Sequence, residues 1–270
     1  MPTLLEKTRT LFTNVVNTIL PIACVSCGTI GDYVCEYCLE NLHAKSRIQT
    51  LLVNMIELPV LSLQTIHTKL IREIIHLYKY DCVIQASGTI KRIVQKLYTE
   101  LPNEEKKAFT ENVIFVPIPL HTSRLKWRGY NQSRTIAQAL LEESDGKINT
   151  NNTHDVSQYH AKLKVDESKL ANNNRLIRLL NRSLKTKTQV GKTQHDRHEN
   201  LKNAFTLNFD AFKGLKGAKT IVLVDDVVTT GSTLIEAATI LKHRLPYSRI
   251  IAITLAQAPL NYTAKNGILL

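Results

Sequence analysis

Asp225 and Asp226 follow the aliphatic run Ile221-Val222-Leu223-Val224, and Thr229-Thr230-Gly231-Ser232-Thr233 comes soon after. A continuous β-branched run reads as a strand buried on both faces, the kind found in parallel sheets. That strand is expected to end at the acid pair. Ligands of open α/β sheets bind at the carboxyl ends of strands. A loop of Thr, Gly and Ser that opens a helix, read here from Leu234 to Leu245, offers N–H groups and hydroxyls to a phosphate. Gly231 lets the backbone approach closely or take a positive φ. The paired carboxylates suit sugar hydroxyls and the Mg2+ that a diphosphate carries. As plain structure the stretch is a buried strand with an acidic turn. The length and order of the combination favour a phosphate-binding pocket.

A second group is cationic. Arg124, Lys126 and Arg128 lie in a stretch read as a loop, after a strand at Asn112–Leu120 and before a helix from Ser133 to Leu141. Pro117 and Pro119 break that strand where it should end. Arg offers bidentate contacts and Lys a point charge, which suits a diphosphate. Taken locally this is a solvated basic loop; its place after a strand, opposite the acid-pair loop, favours the anion role. Trp127, the single tryptophan, suits stacking on a base and anchoring of the loop equally well.

A third group is thiol. Cys24, Cys27, Cys35 and Cys38 form two C-x-x-C pairs, and Gly28 permits a tight turn. In a reducing compartment such pairs read as metal ligands, with redox disulfides and metal-free thiols as the other readings. Four thiolates make a closed structural Zn2+ site with no open position for catalysis. Cys82 stands alone and reads as simply buried.

The elements that must position these groups follow from composition and period. The chain has 270 residues, with 35 Lys and Arg against 23 Asp and Glu, a net charge of +12. That balance favours phosphorylated ligands, nucleic acid or acidic surfaces, and serves solubility as well. No apolar run approaches the ~20 residues of a membrane span. The first residues include Glu6, Lys7, Arg9, Asn14 and Asn17, unlike a secretory h-region. A cytoplasmic location is therefore expected. A helical stripe at residues 3–20 suits docking on the protein better than a membrane surface. Residues 66–99 read as two helices, the first with Ile71, Ile74, Ile75 and Tyr78 on one face and Lys79-Tyr80 at its end. Pro102–Glu111 reads as a polar turn. The Asn-rich stretch from Glu143 to Asn174 reads as a mobile insertion. Leu176–Phe205 is polar and basic, a lid or an exposed linker, with a short helix near Arg197–Ala204. Arg249–Leu255 reads as a strand, so residues 220–255 form a parallel βαβ unit. The expected division is 1–45 for the N-terminal helix and cysteine module, and 46–270 for an α/β domain.

V-D-D-V-V-T-T-G-S-T at 224–233 resembles the 5-phosphoribosyl-1-diphosphate (PRPP) signature of type I phosphoribosyltransferases. The double C-x-x-C, V-P-I-P-L at 116–120, R-L-K-W-R-G-Y-N-Q-S at 124–133, Thr188-Gln189-Val190-Gly191, Arg197, Asn200 and Ala204-Phe205 extend the resemblance. Together they resemble the ComF family of competence proteins, over most of the chain. Lys192, Asp81-Cys82 and the Asn-rich insertion depart from its pattern. The resemblance implies an α/β fold: a type I phosphoribosyltransferase-like parallel sheet flanked by helices, with a small N-terminal zinc-binding module. It implies Asp225 and Asp226 on ribose hydroxyls, and Thr229, Thr230, Gly231, Ser232 and Thr233 around the 5′-phosphate. Arg124, Lys126 and Arg128 would face the diphosphate, with Mg2+ accompanying PRPP. It also implies a part in natural transformation and DNA uptake, with single-stranded DNA or proteins of the competence machinery as partners. Three functions stand open: a PRPP-binding protein of DNA uptake, a working phosphoribosyltransferase that releases diphosphate, and a zinc-containing adaptor. No nucleobase-reading residue can be named and no glutamine-dependent amidotransferase domain is recognisable, which favours the first.

Overall fold

Aliphatic runs build the sheet, and amphipathic helices cover it. The computed structural model describes residues 21–53, 55–80, 86–110, 112–144, 174–182, 204–213 and 220–258. The residue 3–20 helix, Cys82, the Asp81 departure, residues 145–173 of the insertion and residues 183–203 of the lid lie outside them. The chain divides into two compact units, 1–42 and 43–270.

In the first unit Ala23 and Ile30 form an antiparallel bridge around the first cysteine pair. Gly28, at φ 80°, closes the turn by donating to the Cys24 carbonyl at 2.8 Å. Helix α1 (Glu36–Glu40) starts directly after Cys35 and carries Cys38.

The second unit begins with a hairpin, β1 (Arg47–Val53) and β2 (Ile56–Thr65). Helices α2 (Lys69–Tyr80), α3 (Ala86–Thr99) and α4 (Asn103–Lys106) follow, then β3 (Val113–Pro117). Next come α5 (Thr122–Arg128), α6 (Gln132–Ser144), β4 (Arg175–Leu176), β5 (Leu180–Arg182), β6 (Phe205–Leu207) and α7 (Phe209–Lys213). Strand β7 (Thr220–Val228), α8 (Ser232–Arg244) and β8 (Arg249–Gln257) complete it. Six strands form one sheet in the order β1-β2-β8-β7-β3-β4, and β5 pairs with β6 separately. Only β1–β2 is antiparallel within the large sheet; the remaining pairs are parallel, with Val222 opposite Phe115 and Ile251. The βαβ unit expected over 220–255 is present.

Alternation along the strands sorts the core into two layers. Ile221, Leu223, Ile114, Val116 and Ala252 pack with Leu234, Ile235, Ala238 and Leu241 of α8 and with Leu180 and Phe205 of the small sheet. On the opposite face lie α2, α3 and α6, whose Ile71, Ile74, Ile90, Ile93, Ile136 and Leu140 are buried. Ile71, Ile74, Ile75 and Tyr78 are all buried, as their spacing requires.

Several expectations need correction. Arg124, Lys126 and Arg128 sit in a helix, not a loop. The His121 side chain caps its start by accepting from the Ser123 N–H, and Gly129, at φ 79°, ends it in the left-handed region. Strand β7 does not stop at the acid pair: Val227 and Val228 continue the pairing with Ala256 and Gln257. The Pro102–Glu111 turn holds α4 and a 3-10 turn at Lys107–Phe109, because Phe109 is buried edge-on against Tyr98. The insertion is shorter at both ends than its composition suggests. Glu143 and Ser144 finish α6, and Asn174 is fully buried. The Asn174 amide donates to Phe109 O, Thr110 O and the Ser144 hydroxyl, and its carbonyl accepts from Val113 N at 3.0 Å. The short helix read near Arg197–Ala204 lies outside the described residues apart from Ala204, which leads into β6. The β1–β2 hairpin matches no motif of the site, yet it supplies two of the six strands.

Candidate functional site

The acid pair lies in β7 beside the end of β3, where Ile118 N donates to Val224 O at 2.9 Å. The two carboxylates have different partners. Asp225 accepts from the Ser133 hydroxyl at 3.0 Å and from the Asp226 N–H at 2.9 Å. Burial, then the charge of Asp226, pushes its carboxyl up to about 7. Asp226 is buried and pairs with Lys79 of α2 at 2.8 Å.

After β7, Gly231 takes φ 74° and caps α8, and Thr230 and Ser232 join their hydroxyls at 2.9 Å. Ser232 and Thr233 therefore form the first turn of the helix. The phosphate-loop candidates thus meet at one helix N-terminus, whose unpaired N–H groups and dipole favour an anion. The structure also adds a reason for glycine: a Cβ at position 231 would run into the Leu51 side chain of β1.

The cations separate. Arg124 is half-buried, whereas Lys126 is exposed. Arg128 packs on the Trp127 ring at 6.0 Å and donates to Gln132 Oε1 at 3.3 Å. Trp127 is 57% exposed, so it is not a buried anchor of this segment. Two cations were missed: Lys79, paired with Asp226, and Arg182. Arg182 of β5 stacks on Phe205 at 5.2 Å, and both Arg124 and Asp225 lie close enough to act on its guanidinium. Burial, then the Arg124 charge, holds Arg182 below its usual range. Its only signal in the sequence was a basic segment ahead of the central strand.

The segment Arg128–Ser133 acts as a bolt. The Tyr130 hydroxyl and the Gln132 amide both donate to the Tyr78 carbonyl, at 3.2 and 3.3 Å. Asn131 donates to Ile118 O at 3.0 Å and accepts from Ser133 N at 3.2 Å, capping α6. Ser133 then reaches Asp225.

In the first unit the Sγ atoms of Cys24, Cys27, Cys35 and Cys38 all lie within 4.8 Å of one another. A tetrahedral ion with Zn–S bonds of about 2.3 Å fits such a set. Hydrogen bonding, first from the Thr29 hydroxyl, lowers the Cys27 thiol to about 6. Desolvation, then Cys27, pushes Cys38 up to about 12. No helix among the described residues is long and apolar enough to cross a membrane.

The phosphoribosyl transferase domain family matches residues 173–267, which hold β7, the acid pair and α8. The chain is 26% identical over 219 residues to competence protein F of Haemophilus influenzae, covering 81% of this chain and 78% of that protein. This likeness, the domain match and the four-cysteine cluster bear out the resemblance to the ComF family read from the motifs.

Proposed function

We propose that the site binds PRPP with its Mg2+, and that the chain serves natural competence through this pocket. The observation that carries the reading is convergence. An acid pair, a glycine-capped helix N-terminus and two half-buried arginines meet at the carboxyl ends of β3 and β7. Asp225 and Asp226 accept from the ribose hydroxyls. Thr229, Thr230, Gly231, Ser232 and Thr233 enclose the 5′-phosphate at the start of α8. Arg124 and Arg182 meet the diphosphate, with Arg128 behind them and Lys126 at the rim. When bound with PRPP, Mg2+ supplies charge neutralisation at the diphosphate. Cys24, Cys27, Cys35 and Cys38 hold a structural Zn2+ apart from this chemistry.

The likeness to competence protein F supports the competence role, and the ComF resemblance extends the reading to handling of incoming single-stranded DNA on the cytoplasmic side. Calorimetric titration of PRPP with Mg2+ tests the pocket. Hydrogen bonds to charged groups contribute roughly 1.5–3 kcal/mol each, so Asp225→Asn with Asp226→Asn should weaken binding at least about tenfold. Equal affinities would remove the acid pair from the ribose site. No binding by the wild type would leave a phosphoribosyltransferase fold used as a scaffold. Diphosphate release, assayed over a panel of bases and ammonia, decides whether transfer occurs.

A further inference from the structure

Two adjacent carboxylates in β7, just past the end of β3, suit two kinds of ligand. Left uncompensated, they attract a divalent cation, for which paired carboxylate oxygens are ordinary ligands. With one charge neutralised, they suit hydroxyl donors. Lys79 decides between these cases. Its ammonium lies 2.8 Å from Asp226 Oδ1, and the two side chains are 20% and 12% exposed. At that burial the pair is poorly screened, and loss of one partner leaves a charge uncompensated.

Lys79 is also held in place. It is the penultimate residue of α2, and the preceding carbonyl, that of Tyr78, accepts from both Tyr130 and Gln132. The same segment carries Ser133, which donates to Asp225. One segment therefore fixes a cation on one carboxylate and a hydroxyl on the other. The Tyr78 hydroxyl is buried, with no hydrogen-bond partner among the described residues.

We propose that Lys79 is the specificity-determining residue of the acid pair: it neutralises Asp226 and so makes the pair a receptor for sugar hydroxyls rather than a site for a bare divalent cation. This rests on the pocket reading above, but its test does not depend on it alone. Zinc-replete full-length protein is titrated with Mn2+ alone, and separately with ribose 5-phosphate.

Wild type should bind Mn2+ weakly. Lys79→Met should bind it about tenfold tighter or more, since a unit charge within a few ångströms of the ion has been removed. Lys79→Arg should behave as wild type, and Asp226→Asn added to Lys79→Met should abolish the gain. Ribose 5-phosphate affinity should fall at least fivefold in Lys79→Met and recover in Lys79→Arg. A folded Lys79→Met protein with wild-type Mn2+ affinity would overturn the proposal. So would a gain that survives Asp226→Asn. If the Mn2+ responses appear but wild type ignores ribose 5-phosphate, the charge assignment stands and the sugar-pocket reading fails.

Discussion

The carboxyl of Asp225 is pushed up to about 7 by burial and by Asp226 beside it. A raised carboxyl keeps its proton in the folded state over a window where the unfolded chain has lost it. From about pH 4 to about 7 the folded state therefore binds more protons, and stability falls as pH rises through that window. Asp225→Asn removes this dependence. Urea unfolding should show the variant more stable than wild type at pH 8, by on the order of 1 kcal/mol, with a smaller difference at pH 5. A variant less stable at pH 8 would mean that Asp225 is not destabilised by its surroundings. Gly231 is a second single-residue case. A Cβ there would meet the Leu51 side chain. Gly231→Ala also forces an L-residue to hold φ 74°. Strain and overpacking together should cost about 2–4 kcal/mol, read as a lower midpoint in urea. In a double-mutant cycle with Leu51→Ala the two losses should be less than additive. Full additivity would show that the contact carries no energy.

At the scale of elements, the four-cysteine module and the Arg128–Ser133 bolt do different work. Among the described residues the module is one bridged turn and one short helix, too small for a core that folds by itself. The Zn2+ proposed above would supply its folding energy. Metal analysis should find about one zinc per chain, as a four-thiolate site requires. A strong chelator should expose the amides of 21–42 to hydrogen exchange while PRPP binding persists. Zinc-free protein that keeps these amides protected would refute the structural role. The bolt works by hydrogen bonds instead. It ties the end of α2, the end of β3 and the start of α6 to Asp225 of β7.

Across the whole molecule, the net charge of +12 is the property most open to test. Arg124 and Arg128 of α5, Arg182 of β5 and Arg178 just ahead of β5 all belong to the second unit. If several of these cations meet phosphates, single-stranded DNA should bind with little sequence preference. Its affinity should drop roughly tenfold or more between about 50 and 200 mM salt, through counterion release. An affinity insensitive to salt would remove the electrostatic argument.

The local chemistry was legible in the chain. The aliphatic run of β7, the Thr-Gly-Ser loop, the α8 period and the two C-x-x-C pairs each depend on residues within a few positions of one another. Such signals survive without tertiary information because backbone geometry alone relates neighbours. The state of Arg124–Arg128 was less legible, since a seven-residue helix depends on its caps more than on its period. What no local pattern could supply was which distant residues meet. Lys79 finds Asp226, Arg182 comes up beside Asp225, Leu51 closes on Gly231, and Asn174 is buried among four partners. Those meetings follow from the strand order β1-β2-β8-β7-β3-β4, which sets β2 against β8 and places β7 between β8 and β3. That order is settled by burying two layers of side chains at once, a property of the whole unit rather than of any one segment.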